Sequence, residues 1–205
     1  MIRFFATLFI FLFSINAFCE TNDQPPVKKG QGSIYLTYGK VNFDPKQANQ
    51  ENVDPSASYI RLGGEYREDN GIFGGGMSIF SYNDSAGFQQ YVQDQYGNVT
   101  TASSNASSVN LYGEIGYTAS LTDSLRADLL GGYELVVESN RSIPSCSNCD
   151  KEAIDIKSGL YVTPRLGLNG DFSGRGHWEI TLSYAKGIGG NVENITMLTF
   201  GFGGI

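Results

Sequence analysis

Residues 124–139, SLRADLLGGYELVVES, alternate with period two for longer than any loop would. Leu125, Ala127, Leu129, Gly131, Tyr133, Leu135 and Val137 share one parity, and Arg126, Asp128, Glu134 and Glu138 share the other. A helix brings together residues three and four apart, whereas a strand sends alternate residues to opposite faces. The segment is therefore predicted to be a strand with an uncharged apolar face and a face of fixed charge. Such a strand needs two different surroundings, and the rest of the chain has to supply them.

The same period recurs. Eight segments carry it: 33–43, 56–68, 71–83, 107–121, 124–138, 156–172, 177–187 and 194–203. No run with convincing helical spacing interrupts them. Their connections alternate in length. Residues 69–71 (DNG), 122–123 (TD) and 173–176 (SGRG) are tight hairpin turns. The intervening links 44–55, 84–106 and 139–155 are long, and 188–193 is shorter. Outer-membrane barrels combine short periplasmic turns with longer extracellular loops. The predicted fold is all-β: an eight-stranded antiparallel up-and-down transmembrane β-barrel, with both chain ends and all short turns on the periplasmic side.

The N-terminal sequence MIRFFATLFIFLFSINAFC has a basic Arg3, an apolar run and small residues at Ala17 and Cys19, the layout of a secretory signal. The expected organisation is a signal peptide at 1–19, a flexible periplasmic lead-in at 20–32 and the barrel at 33–205. Cleavage after Cys19 is expected, with cleavage after Ala17 the alternative and lipid modification of Cys19 a third reading. Beyond the N-terminus no stretch approaches the ~20 apolar residues of a membrane-spanning helix. With 14 Lys+Arg against 21 Asp+Glu and no basic stripe, nucleic acid is not expected as a partner.

The composition of the two faces decides which one meets lipid. A soluble barrel carries many charges outside. Here the apolar parity is free of charge through the middle of the second and the fourth to eighth segments, while the other mixes sparse charge with Gly, Ser, Thr and Tyr. The apolar face is therefore assigned to lipid and the polar face to a narrow, packed, polar lumen. A mid-lumen charge network of Arg61, Glu65, Glu114, Asp128, Glu134 and Arg165 is expected, with Arg67, Arg126 and Glu179 nearer the periplasmic mouth. The first segment can expose either Ile34, Leu36 and Tyr38 or Tyr35, Thr37, Val41 and Phe43. The second choice is preferred because it turns Lys40 inward. The third segment is expected to expose Phe73, Gly75, Met77 and Ile79, its glycine run housing a bulge or letting a bulky lumen side chain cross. Tyr66, Phe73, Tyr117, Trp178 and Phe202 are expected to form an aromatic girdle.

On these features the chain resembles the small eight-stranded outer-membrane barrels of Gram-negative bacteria, the OmpA transmembrane domain and OmpX/Ail-like group. The resemblance covers 33–205 and rests on architecture: the signal peptide, the alternating strands and loops, and an aromatic-rich last strand. It implies insertion by the barrel-assembly machinery, which reads a terminal aromatic. Here MLTFGF is followed by Gly203-Gly204-Ile205. No peptidoglycan-binding module is expected after the barrel. The implied setting is the cell outer membrane, with its lipid and lipopolysaccharide around a monomeric barrel.

No cofactor, metal site or catalytic residue is expected. Barrel enzymes that modify lipid A use a Ser or His with a carboxylate. The single histidine, His177, lies at the predicted periplasmic start of the seventh strand and reads as an interfacial turn residue. Cys146 and Cys149 form a C-x2-C pair that lacks two further zinc ligands. In an oxidising envelope a small disulfide loop is expected. The link 84–106, with Phe88, Tyr91 and Tyr96 among Gln, Asn and Ser, is the candidate surface-contact loop. The functional expectation is a non-enzymatic outer-membrane barrel with an envelope-structural, adhesin-like contact role through its long loops, whose candidate partner is an extracellular ligand. A narrow gated pore is the alternative, and a lipid A-modifying enzyme a further one.

Overall fold

The computed structural model describes residues 30–93, 96–143, 151–172 and 176–204. Eleven strands and one short helix follow in order: β1 (Gln31–Phe43), α1 (Pro45–Gln50), β2 (Val53–Glu68), β3 (Gly71–Asp84), β4 (Gln90–Gln93), β5 (Val99–Ala102), β6 (Asn105–Ser120), β7 (Leu125–Ser142), β8 (Glu152–Ala153), β9 (Gly159–Phe172), β10 (Gly176–Gly187) and β11 (Val192–Gly204). Eight of them close a cylinder. The sheet runs β6-β3-β2-β1-β11-β10-β9-β7, and β6 pairs with β7 to remove both edges. Every pairing is antiparallel.

The registers fix the barrel's shape. Thr37 on β1 leads through Arg61, Ser78 and Asn110 to Val136 on β7. In the other direction it leads through Thr199, Thr181 and Gly167 to Arg126 on the same strand. The circuit is therefore staggered by ten residues, 136 against 126. Eight strands with that stagger tilt about 40° and leave a backbone radius of about 8 Å. An interior this narrow is filled by side chains.

Outside, Leu62, Met77, Leu111, Leu135, Leu166, Leu182 and Leu198 are exposed without a charged neighbour on the wall between them. On β6 the outward apolar positions run from Tyr117 to Val109, a span of eight residue steps. At the barrel's tilt that is about 20 Å of height, close to the ~25 Å apolar band of outer-membrane barrels. Tyr66, Phe73, Tyr117, Trp178 and Phe202 lie along the lower rim, where Tyr66 pairs with Phe73 and Trp178 with Phe202. Phe172 stacks on Phe202 at 6.5 Å. No helix among the described residues is long and apolar enough to cross a membrane; the strands do so.

β1 faces the opposite way from the expectation. Ile34, Leu36 and Tyr38 are 69, 55 and 62 % exposed, whereas Tyr35, Thr37, Val41 and Phe43 are buried in the lumen. Lys40 consequently points outward. The reason is height. Lys40 lies above the apolar belt, beside Ser58 and Thr196, where the barrel wall has become polar. Asn42 donates to Asn194 at 2.7 Å one step higher on that wall. An outward charge there stands at the interface, where it costs little. β3 exposes Phe73, Met77 and Ile79 as expected.

The lumen is also less uniform than expected. Its lower half is polar, but its upper half is a packed apolar plug that includes Val41, Phe43, Tyr59, Phe80, Tyr82 and Ile195. Phe80 packs against Phe43 at 5.5 Å and Tyr59 at 5.4 Å. From above, Ala48 of α1 and the loop residues Ile154 and Ile156 close the plug. α1 starts where sequence chemistry favours it: Asp44 accepts from the Lys46 N–H at 2.8 Å, and Pro45 takes the first turn.

Candidate functional site

Two regions gather the polar side chains: the lower lumen and the extracellular end. In the lower lumen the charges fall into two groups. Arg61 of β2 pairs with Glu114 of β6 at 2.7 Å, and its guanidinium lies 3.3 Å over the Tyr112 ring. The Tyr161 hydroxyl donates to Glu114 at 3.2 Å. The second group contains Arg67, Arg126 and Arg165 with Glu65, Asp128 and Glu179. Arg165 reaches Glu65 at 2.8 Å and Asp128 at 2.7 Å, and Arg67 reaches Glu65 at 2.5 Å. Arg126 pairs with Asp128 at 3.2 Å and also contacts Glu179. Tyr35 donates to Glu179 at 3.0 Å. Arg67, Arg126 and Glu179 are thus continuous with Glu65, Asp128 and Arg165.

Glu134 stands apart from both groups. Among the described residues no arginine lies within ion-pair distance of it, and it accepts from the Ser78 hydroxyl, which in turn accepts from Asn110 at 3.1 Å. The four arginines Arg61, Arg67, Arg126 and Arg165 are balanced by Glu65, Glu114, Asp128 and Glu179. Pairing of this kind is what permits fixed charge in a buried place, because an isolated buried charge costs far more than a paired one.

Glycine makes the crossing possible. Between β2 and β6, β3 presents Gly74 and Gly76 to the lumen. A Cβ on Gly76 would collide with the backbone of Leu62 and Gly63 and lie 2.9 Å from the Tyr112 hydroxyl. A Cβ on Gly63 would collide with that same hydroxyl. The glycine run lets Tyr112 and Arg61 cross the lumen over bare backbone. Among the described residues a cavity of about 20 Å³ lies beside them, bordered by Thr37, Arg61, Glu65 and Thr163, enough for about one water molecule.

His177 points into the lower lumen and shares a hydrogen bond with the Ser33 hydroxyl at 2.8 Å. Both residues are buried in the wall, away from the lipid-facing rim. Among the described residues no group of three or more His, Cys, Asp or Glu is placed to hold a metal ion. Cys146 and Cys149 lie outside the described residues.

The extracellular end is organised by a residue that sequence reading did not single out. Arg141 is 2 % exposed. Its Nε donates to Asp84 at 2.9 Å, one terminal nitrogen to Glu152 at 2.7 Å, and the other to the carbonyls of Glu51 and Asn52 at 2.7 and 3.1 Å. The guanidinium also lies 4.2 Å from the centre of the Phe88 ring. One side chain therefore ties three extracellular links together, 44–55, 84–106 and 139–155. Its facing depends on a bulge. Val109 pairs with Glu138 and Asn110 with Val136, so Val137 is left unmatched and the parity of β7 reverses. Glu138 turns out to solvent, where it meets Lys151 at 3.3 Å, and Arg141 turns in. The one sequence signal was an arginine on the wrong parity for a lumen residue.

Further bonds reinforce this end. The Asp44 N–H donates to the Asn191 carbonyl at 2.9 Å, Ser85 N–H to Asn52 at 2.9 Å, and the Gln47 side chain to the Asp155 carbonyl at 2.9 Å. Above it β4 and β5 pair as a separate two-stranded hairpin. Tyr91 and Tyr96 are exposed on this hairpin, while Phe88 is held at its base. Sequence reading marks this stretch only as a long loop, without the hairpin.

An apolar belt outside and paired charge inside a closed eight-stranded cylinder define a small transmembrane β-barrel of the outer-membrane type. No family model matches the chain, and no curated protein matches it in sequence. Solved structures of similar fold include Ail, the attachment invasion locus protein of Yersinia pestis, in complex with the heparin analogue sucrose octasulfate. It is 14% identical, with 85% of this chain and 99% of that one covered and a TM-score of 0.40. Neisserial surface protein A is 10% identical over 85% and 96%, with a TM-score of 0.45. The N-terminal β-barrel domain of Pseudomonas aeruginosa OprF is 14% identical over 85% and 99%, with a TM-score of 0.33.

Proposed function

We propose that this barrel serves the outer membrane as a closed, non-enzymatic surface-contact protein, working through its extracellular end. The observation that carries the proposal is the double closure of the lumen. Ion pairs fill the lower half, the apolar plug fills the upper half, and the cavity between them is about 20 Å³. A conduit would need a continuous wet path. The polar and aromatic groups open to solvent are instead gathered on the extracellular hairpin and loops, which Arg141 holds in a fixed arrangement. Rigid scaffolds carrying exposed loops are common binding surfaces. The buried Ser33–His177 pair gives no open site for a lipid ester, which supports the non-enzymatic reading.

Two measurements test it together. Purified protein in a planar bilayer should give no stepwise conductance. Cells displaying the full chain should adhere to immobilised matrix material, and adherence should fall at least several-fold when residues 86–103 are replaced by a short Gly-Ser linker. Steady channels in the bilayer, or adherence unchanged by the replacement, would overturn the proposal.

A further inference from the structure

At the foot of the β4–β5 hairpin lies an open cleft of about 420 Å³. This is the size of a small-molecule site, within the usual range of about 300–1,000 Å³. Its lining is rich in side-chain amides, with Asn83, Gln89, Gln90 and Asn105, and it contains one part-exposed aromatic ring, Phe88. Each amide side chain offers both donors and an acceptor, as each sugar hydroxyl does. The aromatic ring supplies an apolar surface for the C–H edge or face of a pyranose.

The charges around the cleft narrow the ligand class. Among the described residues no Lys or Arg lines it, so an anionic saccharide would find no counter-charge there. The one acid among the described residues of the lining is Asp84, and both of its oxygens are already occupied, one by Arg141 Nε at 2.9 Å and the other by the Ser104 hydroxyl, so a cationic ligand would compete with partners in place. Arg141 also steadies the Phe88 ring at 4.2 Å. The wall of the cleft is therefore fixed to the barrel rim before any ligand arrives, which lowers the ordering cost of binding. We infer that this cleft is a binding site for a neutral saccharide presented outside the cell. The inference rests on the surface-contact reading and gives it a ligand class.

Saturation-transfer NMR on the full chain in lipid nanodiscs tests this without the sugar-headed detergents that would compete. The probes are neutral di- and trisaccharides built from glucose, galactose and N-acetylglucosamine, alongside sialylated and sulfated counterparts. At least one neutral probe should receive saturation at its ring protons. Phe88→Ala and, independently, Gln90→Ala should weaken that response tenfold or more, while Tyr96→Ala should leave it unchanged. Each variant must keep the heat-shifted gel band of the closed barrel. Gln90 is included because Arg141 directs its hydrogen bonds to Asp84, Glu152, Glu51 and Asn52. No response above empty nanodiscs, a response confined to sialylated or sulfated probes, or a neutral response unchanged in Phe88→Ala and Gln90→Ala would overturn the assignment. Those results would leave the adherence test standing, so the failure of the cleft and the failure of the contact role are separable.

Discussion

Arg61 and Glu114 meet at 2.7 Å across the strand that separates them, passing over the bare backbone of Gly74 and Gly76. Both ends are buried, so the pair is sensitive to loss of one partner. Glu114→Ala should cost about 3–5 kcal/mol of unfolding free energy by leaving the arginine charge buried and unpaired. Removing both charges in Arg61→Met/Glu114→Leu should recover most of that loss. Urea unfolding in lipid vesicles, followed by the fluorescence of Trp178, reads both.

Glu134 provides the contrast. It accepts from Ser78 and has no arginine within ion-pair distance among the described residues. Glu134→Gln keeps the shape and a hydrogen-bond acceptor while removing a charge that no arginine balances. The expected change in the same urea experiment is under ~1 kcal/mol, in either direction. A loss comparable to that of Glu114→Ala would show that Glu134 is part of the ion-pair network after all.

The glycines differ by face. Gly76→Ala drives a methyl group into the backbone of Leu62 and Gly63, and should destabilise by about 1–3 kcal/mol as an overpacked core substitution does. Gly113→Ala points outward with nothing within 4 Å and should fold with wild-type stability. The fraction migrating as the heat-shifted band after refolding distinguishes them.

Arg141→Ala should leave the barrel closed and loosen its extracellular end. Trypsin-free proteolysis with chymotrypsin on intact cells should cut near Tyr91 and Tyr96 at least tenfold faster, while the unboiled gel mobility stays that of the folded barrel. Loss of the folded band would place Arg141 among the residues the barrel itself needs.

Much of this architecture is legible in the sequence because period two, turn chemistry and charge all favour the same cylinder. The central segments, such as 107–121, give their facing directly. β1 does not, since Ser33 to Phe43 carry apolar residues on both parities. Assigning Lys40 to the lumen keeps its charge off lipid, but it lies above the apolar belt, and the inward Val41 and Phe43 serve the plug. Period two reports faces and says nothing of height. It also fails across a bulge, which is why Arg141 could not be read. The unmatched Val137 reverses the parity, and no residue type marks the site. The separation of the charges into two groups follows from the stagger of ten residues around the circuit, a property of registers that are set only when the barrel closes.

The central claim is that the apolar parity meets lipid and the charged parity meets the lumen. Spin labels placed singly at Leu36, Leu62, Leu111 and Leu198, and at Thr37, Ser78 and Thr199, test it most directly, in a background with Cys19, Cys146 and Cys149 changed to serine and the protein in lipid vesicles. The first set should be accessible to oxygen and shielded from a water-soluble nickel chelate, with oxygen access greatest near the bilayer centre; the second should be shielded from both. A chelate-accessible first set, or an oxygen-accessible second set, would contradict the assignment and turn the barrel inside out.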